Sequence, residues 1–371
     1  MPDKESPRLL FIVQLPPPLH GASLINSYIL NSNLIRSNFN IETVNLHFAE
    51  SIQELGKFSI KKVFRTFIYC FEIVKKVIKH KPDLVYFNLT PKGFAFYRDA
   101  FYVFILKLLR RKIVFHLQSK GIKENIRESI IKKQLYKFVF KNTSIICMSP
   151  RLTDDFNEVY KSNPFFVPNG IEVQPRRSNM EGKPDKPVPM IMYLSHYLRS
   201  KGILVLIEAL SLLKNRGYQF NARLIGPPAD LTIRELEEIA DDKNLKDFVQ
   251  IVGPKYGEDK FREFLMADIF VFPTYYEAFP LVIMEAMQFS LPVVSTFEGG
   301  IPDIVVDNET GFLVETQNPQ MLADKLEILL NDKELRLRMG KEGYSRFLDN
   351  YTIDKFETSI FNTIQTILNA S

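Results

Sequence analysis

Short apolar runs alternate along the chain with longer stretches in which apolar residues recur every three or four positions. The short runs predict buried strands, and the longer stretches predict amphipathic helices. The predicted strands cover residues 8–15, 41–46, 83–88, 112–117, 144–148, 165–171, 190–194, 222–225, 249–252, 269–272, 291–296 and 311–314. The predicted helices cover residues 24–34, 60–80, 94–109, 150–160, 203–213, 234–240, 260–266 and 319–330, and two more begin at Pro280 and Pro302. This alternation predicts an α/β fold with parallel sheets.

The alternation is interrupted between residues 173 and 189, where prolines and charged residues replace the apolar period. Such a segment is typical of a linker between domains. A chain of 371 residues is long enough for two domains. We therefore predict two doubly wound domains, residues 1–172 and 190–351, with a ligand bound in a cleft between them at the carboxyl ends of the strands.

Charge divides the chain unevenly. Residues 51–142 carry 21 Lys and Arg against 6 Asp and Glu, whereas the rest of the chain carries 27 against 37. A basic segment favours an anionic partner: nucleic acid, phospholipid headgroups or a phosphorylated substrate. Nucleic acid is disfavoured because no helix-turn-helix, zinc or RNA-binding motif is present. Two cysteines exclude a disulfide framework. We expect a cytoplasmic protein because the N-terminus shows no signal-peptide pattern: its apolar run 9–15 is too short and runs into prolines.

The predicted helix 60–80 has two interpretations. Its apolar residues recur at the spacing of one helical face, and lysines crowd the remainder. Such a helix either lies on an anionic membrane or packs on a sheet with its basic side in solvent, and we favour the second. The aromatic helix 94–109 is too short and too charged to span a membrane.

The most informative stretch is residues 275–305, which places Glu277 in a loop and Glu285 in a helix. Eight positions of mostly helical chain separate the two carboxylates by about 10 Å at ~1.5 Å per residue. That exceeds the roughly 5–5.5 Å between the carboxylates of a retaining glycosidase. The spacing suits one long ligand held at two points, with phosphates at a helix start between them. Two solvated glutamates around an ordinary strand–helix unit would look the same.

Two further candidates lie in the first domain. His116 is near the end of predicted strand 112–117, where ligands of α/β sheets bind, but a histidine there is as often structural. Gly21 lies in the loop after the first strand. That loop holds one glycine and is not a dinucleotide fingerprint.

An ordered set of short motifs resembles glycosyltransferase family 4, the retaining, nucleotide-sugar-dependent group with the GT-B fold of two facing Rossmann-like domains. The motifs are Ser149-Pro150-Arg151-Leu152, Pro168-Asn169-Gly170, Lys201-Gly202, Glu277 and Glu285 within EAFPLVIMEAM, Pro292-Val293-Val294, Gly299-Gly300-Ile301-Pro302 and Thr310-Gly311-Phe312-Leu313-Val314. The resemblance covers almost the whole chain. It implies that the first domain binds the acceptor, that the second binds the donor, and that a helix over about 352–371 packs back on the first domain.

The resemblance also implies roles for single residues. Glu277 would bind hydroxyls of the transferred sugar, Glu285 the donor ribose, and Lys201 the diphosphate. Donor phosphates would be held by backbone N–H groups around Phe279, Pro280, Leu281 and Val282, and Gly21 would approach the phosphates or the acceptor. No metal or other cofactor is expected, because lysine and a helix dipole supply positive charge.

The chain departs from the family at two positions. The family usually has an arginine five residues before the lysine, where this chain has His196. Two alternatives stay open: the nearby Arg199 substitutes for that arginine, or a protonated His196 contributes the charge. The family often has a histidine where this chain has Gln118, with His116 two residues earlier on the same face of the strand.

We therefore expect a retaining hexosyltransferase that uses a nucleotide sugar, most simply a UDP-sugar, on a glycan or lipid-linked acceptor of a bacterial surface polysaccharide. The basic first domain would allow peripheral contact with the inner face of the membrane. Two alternatives remain. One is a nucleotide-sugar epimerase or phosphorylase on the same fold, and the other is a degenerate transferase that acts as a binding partner.

Overall fold

The computed structural model describes residues 6–48, 60–174 and 188–370. The chain forms two compact units. The first comprises Met1–Gly170 together with Ile353–Ser371, and the second comprises Ile171–Thr352. The predicted linker lies mostly outside the described residues, since its residues 175–187 are not among them.

The first unit contains a parallel sheet of six strands in the order β2-β1-β3-β4-β5-β6. Its strands are β1 (Arg8–Val13), β2 (Asn40–Asn45), β3 (Leu84–Phe87), β4 (Ile113–Leu117), β5 (Ser144–Cys147) and β6 (Phe165–Phe166). Its helices up to this point are α1 (Gly21–Asn31), α2 (Asn33–Asn38), α3 (Ile60–His80), α4 (Gly93–Leu108), α5 (Ile122–Glu128) and α6 (Ile130–Phe140).

The second unit contains another parallel sheet of six strands, in the order β12-β11-β10-β7-β8-β9. Its strands are β7 (Met190–Leu194), β8 (Asn221–Ile225), β9 (Val249–Gly253), β10 (Ile269–Phe272), β11 (Val293–Thr296) and β12 (Gly311–Val314). Its helices are α7 (Ile203–Asn215), α8 (Ile233–Asp242), α9 (Gly257–Met266), α10 (Leu281–Gln288), α11 (Ile301–Ile304), α12 (Pro319–Asn331) and α13 (Lys333–Asn350).

The last helix, α14 (Ile353–Asn369), belongs to the first unit. It packs against α1 and α2, and the ring of Phe361 lies 5.6 Å from that of Phe39. The Lys112 ammonium donates to the carbonyls of Ile367 and Ala370 at the end of α14, where the helix dipole favours a cation.

Both sheets are buried, which explains why their strands read as apolar runs without alternation. Every residue of β3, β10, β11 and β12 is buried. The predicted α/β class with two parallel sheets is confirmed.

Some element boundaries differ from the sequence prediction. The predicted helix 24–34 is two helices, because Ser32 adopts an extended backbone and its side chain caps α2. The predicted helix 150–160 is reduced to a 3-10 segment, Pro150–Asp155. The helices α5, α6 and α13 were not predicted. Asp155 caps α5 by accepting hydrogen bonds from the N–H groups of Gly121, Ile122 and Lys123 at 2.9, 3.1 and 3.0 Å.

The favoured interpretation of helix 60–80 is wrong. It placed the apolar residues of α3 on the sheet and the lysines in solvent, yet only Ile73 and Val77 of this helix are fully buried. Its outward side is apolar, with exposed side chains at Ile60, Val63, Phe64, Phe67, Ile68, Phe71 and Ile78. Aromatic and basic residues further round the helix occupy the inward positions, where Tyr69 and Lys76 hydrogen-bond to the chain around β2.

Candidate active site

The order in which the chain adds strands to the second sheet reverses between β7 and β10. The chain proceeds from β7 outward to β8 and β9, and then returns to β10 on the other side of β7 before continuing to β11 and β12. The loops that follow β7 and β10 therefore diverge at a topological switch point, where open α/β sheets bind their ligands. These two loops carry Lys201 and Glu277.

Glycine allows the two loops to touch. The carbonyl of Ser200 accepts hydrogen bonds from the Thr274 hydroxyl and the Tyr275 N–H, both at 3.0 Å. Gly202 has φ +78°, and a Cβ atom there would lie 1.9 Å from the carbonyl oxygen of Pro273. Only glycine fits such a position, so the Lys201-Gly202 motif is a requirement of backbone packing as well as of chemistry.

This contact brings Lys201 to Glu277. The Lys201 Nζ atom lies 2.7 Å from Oε2 of Glu277 and 3.3 Å from the carbonyl oxygen of Tyr276. Both side chains keep 20% of their surface exposed. The other carboxylate oxygen, Oε1, accepts from the N–H of Ala278 at 2.9 Å, which fixes the carboxylate group. An oriented, reachable charge pair therefore stands at the switch point.

A third loop, the one after β11, hydrogen-bonds to the backbone around Glu277. The Glu277 N–H donates to Oε1 of Glu298 at 3.1 Å, and the Gly300 N–H donates to the carbonyl of Ala278 at 2.8 Å. Gly299 has φ +55°, and a Cβ atom there would lie 2.4 Å from the carbonyl oxygen of Glu277. The Gly pair of the sequence thus allows the loop after β11 to pass close to Glu277.

The helix α10 begins immediately after this loop. Pro280 is its N-cap and provides no side-chain hydrogen bond to the first turn, which starts with Leu281 and Val282. Phe279 is buried, with its ring 6.2 Å from that of Tyr351. The helix start predicted at Pro280 is correct to within one residue. A helix N-terminus without a side-chain cap suits an anionic ligand. The second predicted start, at Pro302, leads only to the single turn α11 and offers little helix dipole.

Glu285 has a different partner from Glu277. Its Oε1 atom lies 2.7 Å from Nζ of Lys260 in α9. Both side chains of this pair are partly exposed. Lys260 was not predicted from the sequence. It lies 25 positions before Glu285 and in a different helix, and no local motif indicates the pair.

His196 and Arg199 lie in the same loop as Lys201. Burial, and then the charge of Lys201, lower the pKa of His196, so its imidazole is neutral near pH 7. Arg199 is exposed, and its N–H donates to the carboxylate of Asp230. The replacement of the family's arginine by His196 or by Arg199 stays a prediction.

The remaining candidates, Gly21 and His116, belong to the first unit. Gly21 is the exposed first residue of α1, whose N-cap His20 forms a capping box with Ser23. His116 has no exposed surface; its Nδ1 atom contacts the Tyr86 hydroxyl and lies 3.2 Å from Nε2 of Gln118.

Burial lowers the pKa of His116 to about 3. The buried, neutral ring belongs to a polar network with Tyr86 and Gln118. The catalytic role of His116 stays a prediction. Gln118, half-buried beside it, also donates to the Asn26 side chain at 3.1 Å.

The described residues were also searched for side chains that could hold a metal ion. Across residues 6–48, 60–174 and 188–370, no three His, Cys, Asp or Glu side chains are grouped so as to hold a metal ion.

A parallel sheet with a lysine, a fixed carboxylate and an uncapped helix N-terminus at its switch point suits an anionic ligand. Two such sheets in one chain are the architecture of the GT-B glycosyltransferases. Residues 176–346 match the family model for glycosyl transferases group 1. This segment of the chain, which carries Lys201, Glu277 and Glu285, is similar to that family.

Curated relatives match parts of the chain. D-inositol 3-phosphate glycosyltransferase of Corynebacterium efficiens is 36% identical over 148 residues, which are 38% of this chain and 34% of that protein. The capsular polysaccharide biosynthesis glycosyltransferase CapM of Staphylococcus aureus is 31% identical over 166 residues, 44% of this chain and 42% of CapM. The chain thus spans less than half the length of these two relatives.

Solved structures match the fold over nearly the whole chain. Sucrose-phosphate synthase from Thermosynechococcus elongatus superposes with a TM-score of 0.78 at 19% identity, covering 98% of this chain and 100% of that one. HepE from Anabaena, solved in complex with UDP and glucose, gives a TM-score of 0.71 at 20% identity, covering 96% of this chain and 99% of HepE. The predicted GT-B architecture is confirmed, whereas membership of family 4 stays a prediction.

Proposed function

We propose that the protein is a retaining glycosyltransferase that moves a hexose from a UDP-sugar to a glycan or lipid-linked acceptor of a bacterial surface polysaccharide. The observation that carries this proposal is the Lys201–Glu277 pair, 2.7 Å apart at the switch point of the second sheet. The family of residues 176–346 supports the transfer reaction, UDP in the HepE structures supports the donor, and CapM supports the class of product.

In the proposed reaction the bond between the anomeric carbon and the diphosphate oxygen breaks, and its electron pair leaves with the nucleoside diphosphate. The acceptor hydroxyl oxygen forms the new bond to the anomeric carbon and passes its proton to the leaving diphosphate. Negative charge develops on the leaving diphosphate. Preorganised cations and dipoles aimed at that charge stabilise the transition state most strongly.

The described residues supply such groups. Lys201 would bind the diphosphate while staying beside Glu277. The N–H groups of Phe279, Leu281 and Val282 at the start of α10 would bind its oxygens, since Pro280 has no N–H. Glu277 would accept hydrogen bonds from the sugar, and Glu285, held by Lys260, from the ribose. With a lysine and a helix dipole at the phosphates, the proposed reaction needs no metal ion, and the protein would work in the cytoplasm.

A thermal-shift panel across UDP, GDP, ADP and their sugars tests the donor, because a ligand that binds the native state raises the melting temperature. We expect UDP and one UDP-sugar to stabilise the protein most. Transfer to an extract of lipid-linked glycans would then be measured for the wild type and for the variants Lys201→Ala and Glu277→Ala. Both variants should lose at least about a hundredfold in rate, the usual cost of removing a group that stabilises developing charge.

Lys243→Ala is the matched control, since Lys243 forms a partly exposed ion pair with Glu208 in the same unit. It should transfer normally. Near-normal transfer by both site variants would contradict the assignment. Isomerisation of a UDP-sugar without an acceptor would identify an epimerase, and UDP binding without any turnover would identify a degenerate transferase.

A further inference from the structure

The outward side of α3 is an apolar stripe. Ile60, Phe64, Phe67, Phe71 and Ile78 recur at helical spacing and lie on one face of the helix. Their side chains are unusually accessible: Ile60 is 81% exposed, Phe64 70% and Phe71 73%. This stripe is opposite to the side on which Ile73 and Val77 pack into the unit.

Two aromatic contacts extend the stripe across neighbouring helices. The ring of Phe67 lies 6.1 Å from that of Phe101 in α4, and the ring of Phe104 in α4 lies 6.3 Å from that of Phe138 in α6. The same helices expose further apolar side chains, namely Phe94, Tyr97, Leu108, Ile130 and Ile131. The α3 stripe, the aromatic residues of these two contacts and the five further exposed side chains together form what we call the α3–α4–α6 surface. Contiguous exposed apolar area of this kind marks an interaction site, because a soluble monomer gains nothing from it.

Basic residues surround this surface. The three helices carry eleven Lys and Arg but only two acidic residues, Glu72 and Asp99. Both acids are paired with a cation of the same helix, Glu72 with Lys76 and Asp99 with Arg98. Lys132 and Lys133 of α6 also form pairs, with Glu128 and Glu158 outside the three helices. The exposed lysines Lys75, Lys79 and Lys137 remain accessible to a partner.

Several of these cations lie within or beside the apolar area. Lys75 is exposed between Phe71 and Ile78 on the α3 stripe, and Lys79 and Lys137 are exposed nearby. Lys107 lies with its Nζ atom 4.9 Å from the centre of the Phe138 ring. Apolar side chains mixed with flexible basic ones match the boundary between lipid headgroups and acyl chains.

We infer that the α3–α4–α6 surface docks on an anionic lipid bilayer. Its aromatic side chains insert into the headgroup boundary, and its lysines bind the negative surface. The contact is peripheral, since none of the helices in the described ranges is both long and apolar enough to cross a bilayer.

A second copy of the chain fits this surface less well. A twofold contact would press each patch against an identical one and set the lysines of one copy against those of the other. An anionic membrane presents the complementary charge to all of them. The inference concerns the first unit alone and does not depend on the proposed transfer reaction.

The chain contains no tryptophan, so a single introduced tryptophan reports on its own position. Phe71→Trp places the probe on the α3–α4–α6 surface, and Leu337→Trp places it at an exposed apolar position of the second unit. The full-length variants would be mixed with vesicles of phosphatidylcholine alone or with added phosphatidylglycerol. We expect a blue shift of Phe71→Trp emission, and its quenching by brominated lipid, only with phosphatidylglycerol, and no change for Leu337→Trp.

Vesicle flotation measures the strength of docking. The variant Phe64→Ser with Phe71→Ser should partition at least about tenfold more weakly, since two exposed aromatic side chains no longer enter the boundary. Lys75→Glu with Lys79→Glu should weaken binding to anionic vesicles by a similar factor, and Leu337→Ser should bind like the wild type.

Three results would overturn the inference. One is unchanged emission of Phe71→Trp together with no flotation of the wild type. Another is equal binding to neutral and anionic vesicles, which would remove the role of charge. The third is a wild-type dimer in sedimentation that the double serine variant converts to a monomer, which would place a second copy on the surface.

Discussion

Lys201 and Glu277 are 76 positions apart in the chain, yet the Nζ atom of one lies 2.7 Å from Oε2 of the other. The pair exists because the loops after β7 and β10 meet at Ser200, which accepts hydrogen bonds from Thr274 and Tyr275. The backbone contact thus fixes the position of the lysine, and a change that separates the loops should damage the site without touching either charge.

Gly202→Ala is such a change. Its Cβ would lie 1.9 Å from the Pro273 carbonyl oxygen, in a backbone conformation with φ +78°. We expect a loss of about 3 kcal/mol or more in unfolding free energy, measured by denaturant titration, from left-handed strain plus a backbone displacement. UDP binding should weaken in parallel.

Gly217→Ala is the matched control, because Gly217 has φ +89° but nothing within 4 Å of its added Cβ. It should lose only about 1 kcal/mol, the cost of the strained conformation alone. Equal losses in the two variants would show that the loop contact is not tightly packed.

Lys260 should matter for donor binding. Lys260→Ala removes the cation that holds Oε1 of Glu285. We expect a rise of about tenfold in KM for the UDP-sugar, with kcat changed much less, since the lost contact serves ground state and transition state alike. Lys260→Arg should restore most of the affinity.

Arg262→Ala tests whether any lost charge in α9 has this effect, since Arg262 pairs with Asp259 on the exposed side of the same helix. Its KM should equal that of the wild type. A loss for Arg262→Ala as large as for Lys260→Ala would mean that general charge, and not the hold on Glu285, is responsible.

His116 should make the protein sensitive to acid. Burial holds its pKa at about 3 in the folded protein, against 6.5 for the ordinary group. Between these values the unfolded chain binds a proton that the folded protein does not, so stability falls as the pH falls. From about pH 6 to about pH 4 the wild type should lose about 2 kcal/mol more than His116→Gln, which has no titrating ring. Parallel stability curves for the two proteins would contradict the burial of a neutral His116.

The alternation of apolar runs and periodic stretches was enough to predict both sheets, because buried parallel strands are apolar on both faces. The start of α10 at Pro280 also follows a local rule that a sequence displays. The close packing of Gly202 against Pro273 and of Gly299 against Glu277 joins distant residues and did not follow from such a rule.

Pairings between distant residues were not predictable in the same way. No spacing in the sequence joins Lys260 to Glu285, or Asp155 to the start of α5. The side of α3 that faces solvent was mispredicted for a related reason. Periodicity identifies an apolar face of a helix, but it does not show whether that face meets a sheet or water. The position of His116 near the end of a strand likewise did not show that its side chain is buried.

Calorimetric titration of UDP into the wild type, Lys201→Ala and Lys243→Ala tests the proposed donor site most directly, because it requires no acceptor. We expect binding to the wild type and to Lys243→Ala with equal affinity. Binding to Lys201→Ala should be at least about tenfold weaker, since a lysine–diphosphate contact is a charge-assisted hydrogen bond worth about 1.5–3 kcal/mol. Equal affinity in all three proteins, or no binding to the wild type, would contradict a nucleotide-sugar site built on Lys201 and Glu277.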